Sequence, residues 1–576
     1  MKRSRQISLV IVLVLAIVTS WLWWVRPKKV DMAAYAPADS ILYLEANRPL
    51  KVVEAIAGTD AWRALERSMG TPAYSPSSRW LQEFVGWTGI GPIQSVLLAR
   101  IQIAAVITDL GTAEEGDTLK IKPEGAILIE THTSEGRIRA PFEQTIKTLA
   151  EKTYRHPILR RTTLDGVELL EWSAPEGSRQ IVGTVIGSLV IVGNSEHAVQ
   201  SCVAVSQGRR TSMKDDPELS RIRLQLSAER ALTFGYAPPG TSARLLAVGL
   251  PILFGRAPGD PEFQRLITNG AEKIFGSIGW SSRAYLTGIE DRYLISLQPS
   301  IATRLKPNFG PLNIRSQLQR VLPSDVYSVT SYKFSKPYET WQSLRTAISS
   351  QVDTLSAIVF SSLLKSSLLS YGINDPESFL SAVSGELLTV RLDENGERSI
   401  LIGVIGDRAT LRELVTKNMR LIPLGNHVDQ LETFEDSQGE FAASFINDSI
   451  VLGSSADVRR YATTRRAKAE SDADEFKRMT FFVSSSNSAN IVTYTDDSDR
   501  VRSFISSVIV VKGGPMITPE RVEEAVAGLP FSVTETTLDA SGIERINRSP
   551  LGQFSTVLPM LVPEQLNPNK PGTESK

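Results

Sequence analysis

The stretch IGSLVIVGNSEHAVQ, residues 186–200, decides how this sequence is organised, because its pattern returns as INDSIVLGSSADVRR at residues 446–460. In each stretch an apolar run ends at a glycine, and a serine or asparagine then precedes a helical pattern. The pattern predicts a strand, a turn and a helix in both places, with Gly193 equivalent to Gly453. A motif that occurs twice predicts an internal repeat.

Other segments match in the same order along the chain. The matched pairs are 36–50 with 322–336, 61–65 with 340–344, 88–107 with 371–390, 124–130 with 397–403, and 231–250 with 490–509. We therefore predict an α+β fold with two tandem related modules, residues 36–300 and 322–556. Each is expected to be an antiparallel sheet with helices on one face, because short glycine turns suit hairpins.

The repeat makes specific structural predictions. Strands are expected at 40–46 and 325–332, and Trp62 and Trp341 are expected on buried helix faces. Two apolar helical segments at 242–255 and 503–514 occupy matching places and are too short to cross a bilayer. Each could pack on its own sheet, or the two could meet or cover a groove for an apolar ligand.

The N-terminal segment, residues 1–29, predicts a membrane anchor. Residues 7–25 carry no charge and are long enough to approach the width of a bilayer core, and basic residues flank them on both sides. A cleaved signal peptide is the alternative. A short basic head before one leading span is typical of a signal anchor, so we place the bulk of the chain outside the cytoplasmic membrane. The proline-rich tail, residues 557–576, is expected to be disordered.

The motifs PADSILYLEAN, YGINDPESFL and IVLGSSADV resemble an uncharacterised family of exported or membrane-anchored bacterial proteins that is known only as a domain of unknown function. The resemblance covers most of residues 36–556 and implies an envelope location. It assigns no catalytic residue.

Ser195, Glu196 and His197 are the residue types of a hydrolase triad, but only their scaffold is repeated. In the second stretch Ala456 and Asp457 replace the glutamate and the histidine. Residues two apart on a helix do not face each other. We therefore interpret Ser195 as a helix N-cap, whose side-chain oxygen accepts the first free amide bonds.

A second candidate enzyme site is SLLK, where Ser362 and Lys365 fit the Ser-x-x-Lys motif of penicillin-binding enzymes. The companion Lys-Thr-Gly is missing, and serine and leucine are abundant around the match. An envelope serine hydrolase using Ser362 and Lys365 thus remains the alternative to a non-catalytic protein.

No metal or cofactor site is predicted. The four histidines, at positions 132, 156, 197 and 427, are not paired at metal-binding spacing. Cys202, the only cysteine, lies in an apolar stretch and is interpreted as packing. The acidic run TDDSDR (495–500) does not have calcium-loop spacing and is interpreted as a capped helix start.

The charge balance bears on the partners. Lys+Arg and Asp+Glu both number 63, so the chain does not have the basic surplus that nucleic-acid binding requires. We predict a single-pass inner-membrane protein that binds or scaffolds in the bacterial envelope. Its expected partners are the cytoplasmic membrane, through residues 7–25, and an envelope protein; a carrier of an apolar ligand between the modules is a further alternative.

Overall fold

A computed structural model gives the fold. It describes residues 29–68, 101–115, 118–154, 156–177, 179–245, 261–305, 322–323, 326–334, 336–351, 365, 368–422, 432–464, 473–482, 489–510, 518–538 and 542–556. The predicted anchor run 7–25 and the tail 557–576 lie outside these ranges. Within them, no helix is both long enough and apolar enough to cross a bilayer.

The described residues contain twenty strands, ten in each half of the chain. The first ten are β1 (Leu42–Ala46), β2 (Gln102–Glu115), β3 (Thr118–Glu130), β4 (Ile158–Leu164), β5 (Val167–Ser173), β6 (Gln180–Ile186), β7 (Leu189–Gly193), β8 (Thr233–Ala237), β9 (Phe275–Tyr285) and β10 (Gly288–Leu297). The second ten are β11 (Ser328–Lys333), β12 (Val383–Arg391), β13 (Ser399–Ile405), β14 (Met419–Ile422), β15 (Glu432–Asp436), β16 (Phe441–Ile446), β17 (Ser449–Ser454), β18 (Ile491–Thr495), β19 (Ser532–Leu538) and β20 (Gly542–Ser549). β1 and β11 confirm the strands expected at 40–46 and 325–332.

All twenty strands belong to one antiparallel sheet, so the prediction of two modules with separate sheets is wrong. The strand order across the first half is β4-β5-β6-β7-β3-β2-β1-β8-β9-β10. Across the second half the order is β14-β15-β16-β17-β13-β12-β11-β18-β19-β20. The order is thus the same in both halves, although they are parts of a single sheet.

The two halves join where β10 pairs with β20. This pairing runs from Ile289 opposite Ser549 to Ser296 opposite Gly542. Either strand alone would be the edge of a smaller sheet and would leave a row of backbone donors and acceptors without strand partners. Pairing the two last strands satisfies both rows, which is the physical reason for one sheet instead of two.

Helices connect the strands. They are α1 (Pro49–Ala57), α2 (Asp60–Ser68), α3 (Glu135–Tyr154), α4 (Glu196–Ser206), α5 (Pro217–Gln225), α6 (Pro261–Ile274), α7 (Pro299–Leu305), α8 (Pro337–Ser349), α9 (Pro376–Ala382), α10 (Arg408–Asn418), α11 (Ser455–Thr464), α12 (Ala473–Thr480), α13 (Ser498–Val510) and α14 (Pro519–Ala527). Three short 3-10 helices, Met32–Tyr35, Met213–Asp215 and Ala228–Arg230, complete the described elements.

Helices cover both faces of the sheet, so the prediction of helices on one face is also wrong. On β7, Val190 packs in a cluster with Phe142 of α3, whereas its neighbour Ile191 packs in another cluster with Val199 of α4. Adjacent strand residues point to opposite faces. The nearly continuous apolar run of β7 is typical of a strand buried on both sides.

The junction between the halves has its own hydrophobic core. Trp62 of α2 and Phe504 of α13 are buried there, with ring centroids 6.4 Å apart. The described part of the apolar segment 503–514 therefore packs against a helix of the other half instead of only covering its own strands. Trp62 is buried as expected, and Trp341 is partly buried against a different cluster in the second half.

Gly193 and Gly453 occupy equivalent places, as the repeat predicted. Gly193 is opposite Ala126 of β3, and Gly453 is opposite Ile400 of β13. A Cβ atom on Gly193 would lie 2.7 Å from the Gly125 carbonyl oxygen, and one on Gly453 would lie 2.7 Å from the Ser399 carbonyl oxygen. Close backbone approach therefore requires glycine at both positions.

Candidate functional site

Among the described residues, the largest concentration of buried charge lies in the central strand pair β10–β20. Glu290 and Arg548 face each other across this pair, and both are buried. Arg548 Nε donates to Glu290 Oε2 at 2.9 Å, and Arg548 Nη1 donates to Glu535 Oε2 on β19 at 2.7 Å. The arginine also lies over the Tyr285 ring, 5.1 Å from its centroid. One guanidinium group therefore links three neighbouring strands.

A second arginine approaches the same carboxylate from the surface. Arg283 of β9 lies opposite Glu290, and its Nη2 is 2.5 Å from Glu290 Oε1, close enough for an ion pair but without hydrogen-bond alignment. Burial opposes the charged form of Arg548, but hydrogen bonds to Glu535 and Glu290 outweigh it and raise the Arg548 pKa. The buried charges are compensated, which is the condition for keeping them inside a protein.

Asp291 lies on the opposite face of β10 and is fully buried. The Ser282 hydroxyl donates to its Oδ1, and the backbone N–H of Gln553 donates to its Oδ2 at 2.8 Å. Burial raises the Asp291 pKa to about 6, although hydrogen bonds from Ser282, Gln553 and Asn547 oppose the shift. A carboxyl group that titrates near neutrality suits a general base. Here, however, no part of the group is accessible to a substrate, and its donors hold the chain after β20 against β10.

The triad types Ser195, Glu196 and His197 have separate partners. The Ser195 hydroxyl donates to Glu124 Oε2 at 2.8 Å, Glu196 accepts from Gln200, and His197 is exposed. The serine hydroxyl is thus engaged with a carboxylate of β3 and not with the histidine. The structure therefore does not assemble a triad from these three residues.

The capping interpretation is correct in position and wrong in its contact. Ser195 does precede α4, but its side chain makes no cap hydrogen bond. The preceding Asn194 bonds to β3 instead, accepting from Gly125 N and donating to the Pro123 carbonyl. In the second half the capping hydroxyl belongs to Ser454, which accepts from Asp457 N at 3.2 Å.

The Ser-x-x-Lys candidate is only partly visible. Ser362 lies outside the described residues. Lys365 is in helical conformation, and it is exposed. A lysine that activates a serine is typically held in a desolvated pocket. The exposure of Lys365 does not fit that role.

The remaining candidates are the cysteine, the acidic run and the other three histidines. Cys202 is buried, and burial raises its pKa to about 12, so its thiolate is scarce. In the acidic run, Asp496 accepts from Ser498 N at 2.9 Å, which confirms the capped helix start. His132 donates its backbone N–H to Glu130, His156 is exposed, and His427 lies outside the described ranges. Within the described ranges, no three His, Cys, Asp or Glu side chains form a group that could hold a metal ion.

An apolar cavity lies under α12, between that helix and the second half of the sheet. Its lining residues are Leu322, Val329, Ser331, Leu388, Met479, Thr480 and Tyr494. The cavity measures about 10 Å³, which is roughly the space for one water molecule. This cavity is too small for a lipid-like ligand.

No protein-family model matches the chain, and neither does any curated protein or solved structure. The resemblance to an envelope family therefore stays a prediction, and the functional argument rests on the residues themselves. Sequence reasoning missed the buried charges of β10 and β20. Their signal is the acidic pair Glu290–Asp291 inside the strand pattern GIEDRYLISL, where alternation puts one carboxylate on each face.

Proposed function

We propose that the protein is a non-catalytic binding or scaffolding protein of the bacterial envelope. In this proposal residues 7–25 hold it at the cytoplasmic membrane, and the sheet lies on the extracytoplasmic side. The observation that supports a scaffolding role most is the use of the buried charged groups. Glu290, Asp291 and Arg548 connect strands of the two halves and are engaged with protein partners.

The length of the sheet also supports this role. Neighbouring strands are about 4.8 Å apart, so twenty strands extend about 90 Å along the sheet. In the described part of the chain β4 and β14 each pair on one side only, and they carry the exposed side chains Ile158 (59%) and Leu421 (60%). Open strand edges bind extended segments of other proteins. We propose an extended segment of an envelope protein as the partner of these edges.

The proposed location predicts the result of a protease experiment. Full-length protein is expected in the membrane fraction after alkaline carbonate washing, because a spanning segment resists extraction. External protease added to spheroplasts is expected to digest the chain beyond about residue 30, since the sheet lies outside the membrane. A cytoplasmic marker protein must survive the same treatment. Full protection of the chain, while a periplasmic marker is digested, would contradict the orientation.

The hydrolase alternative predicts a covalent label on Ser362. We expect a fluorescent penicillin and a fluorophosphonate to label wild-type protein and Ser362→Ala equally weakly, because Lys365 is exposed, whereas an activated lysine is typically held in a desolvated pocket. Endogenous penicillin-binding proteins in the same membranes show that the probes are active. Labelling that disappears in Ser362→Ala and in Lys365→Met would instead establish the enzyme.

A further inference from the structure

Two leucines stand out among the exposed apolar residues. Leu224 on α5 is 82% exposed and Leu286 in the β9–β10 turn is 71% exposed, the two highest values for large apolar side chains in the described ranges. Single exposed leucines are common on protein surfaces. These two matter because both lie at the end of the sheet from which the chain emerges toward its N-terminal run.

The chain emerges from the sheet at a fixed point, Val30. Both backbone groups of Val30 bond to the Gln102 side chain, N–H to Oε1 at 2.8 Å and carbonyl to Nε2 at 2.9 Å. Asp31, the next residue, accepts from Arg223 at 2.9 Å, and Met32 is completely buried. These contacts tie residues 30–32 to the sheet, so Lys29 leaves the molecule from a defined place.

Leu224 lies at this place because it follows Arg223, which bonds both Asp31 and Glu45 of β1. Leu286 reaches the same end of the sheet by strand register. Glu45 is opposite Phe234 of β8, and Phe234 is opposite Ser281 of β9, four residues before the β9–β10 turn begins at Tyr285. β9 is two strands from β1, about 10 Å across the sheet, and Leu286 lies five residues beyond Ser281, about 17 Å further along the strand direction than Glu45.

The length of chain outside the structure identifies the occupant of this surface. Four residues, Arg26 to Lys29, separate the uncharged run 7–25 from Val30. Four extended residues span at most about 14 Å. If the run crosses the membrane, the end of the sheet that carries Val30 lies within that distance of the bilayer. Lys29 and Arg48 are exposed at this end, and cations near a membrane surface are attracted to anionic headgroups.

We propose that the corner formed by Leu224, Leu286 and Lys29 is a membrane-contact surface, with both leucines in the headgroup layer of the membrane that holds the anchor. This inference rests on the proposed anchoring by residues 7–25. It adds that the sheet does not move freely on a tether. The corner fixes the end of the sheet at the bilayer, so that the remaining strands extend away from that contact.

The test uses an environment-sensitive label on the full chain. Leu224→Cys, Leu286→Cys and, as a matched control, Leu421→Cys on the edge strand β14 are each labelled with the fluorophore NBD. Cys202 reacts little, because it is buried and its pKa is raised to about 12, and wild-type protein measures its background. The labelled proteins are reconstituted in vesicles of phosphatidylcholine and phosphatidylglycerol and recovered by flotation.

We expect NBD emission to shift to shorter wavelength at positions 224 and 286 relative to 421 in the vesicles, and a nitroxide-labelled lipid to quench only the first two. Protein that floats and resists carbonate, but gives the same emission and quenching at all three positions, overturns the contact surface and leaves the anchor in place. Protein that fails to float overturns the anchor and the contact with it. The two proposals therefore fail in distinguishable ways.

Discussion

Arg548→Met is expected to lower the free energy of unfolding by about 3–5 kcal/mol, the usual cost of leaving buried charges without their partner. Arg548 is the common donor to Glu290 and Glu535, and all three side chains are buried. Methionine has a similar length and no charge, so the variant keeps most of the packing and removes the compensation. Because the three residues lie on β10, β19 and β20, the loss is expected to weaken the junction between the halves. Urea unfolding followed by tryptophan fluorescence measures the change.

Two further variants separate the buried charge from a general effect of mutation. Arg283→Met removes the other arginine next to Glu290, but its side chain is 51% exposed, so a loss below about 1 kcal/mol is expected. Arg548→Met combined with Glu290→Gln and Glu535→Gln is expected to recover more than half of the lost stability, because no uncompensated carboxylate remains. Equal losses in the two arginine variants would show that burial of Arg548 is unimportant.

The repeated pattern predicted local structure well and the assembly poorly. Strands, the glycine turn at Gly193 and Gly453, and the order of elements follow from hydrophobic period and turn residues, which are local signals. The pairing of β10 with β20 joins residues about 250 positions apart, and nothing in a local pattern specifies which strand edges will meet. Two separate sheets and one continuous sheet built from the same strands would show the same local sequence pattern. The two arrangements differ in whether β10 and β20, the last strands of the two halves, pair with each other.

The site was harder to predict for a related reason. Alternation in GIEDRYLISL indicates a strand, but charged residues in a strand are normally assigned to solvent. Glu290 and Asp291 are buried only because β9 and β20 flank β10 on both sides and provide arginine and hydroxyl partners. Similarly, the residue type at position 195 indicated the N-cap position correctly but not the contact, because the side chain makes no cap hydrogen bond and instead bonds to Glu124 of β3. The local sequence therefore indicates where a polar residue lies in a strand or helix, whereas its hydrogen-bond partner is determined by tertiary contacts.

The free energy of unfolding of Asp291→Asn, relative to that of wild type, is expected to rise by about 2.4 kcal/mol between pH 4 and pH 7. The Asp291 pKa is about 6 in the folded protein, mainly because of burial, against 3.8 for an unperturbed aspartate. Between these two values the folded protein holds a proton that the unfolded chain has released. Wild-type stability therefore falls as pH rises through this window, and the loss is nearly complete at about pH 7. Asparagine does not titrate, so the variant avoids the loss.

Geometry allows this substitution. The asparagine oxygen can accept from Gln553 N, and its amide can donate to the Ser282 hydroxyl oxygen, so both contacts of Asp291 have a replacement. Asp407→Asn is the control, because hydrogen bonds from Thr410 lower the Asp407 pKa and its effect therefore has the opposite sign and lies below about pH 4. Urea unfolding of the three proteins at intervals from pH 3 to 7 gives the differences. A stability difference between Asp291→Asn and wild type that stays constant from pH 4 to 7 would mean that the buried carboxyl group does not carry its proton through this range, and the polar contacts of Asp291 would then have to be explained with an ionised side chain.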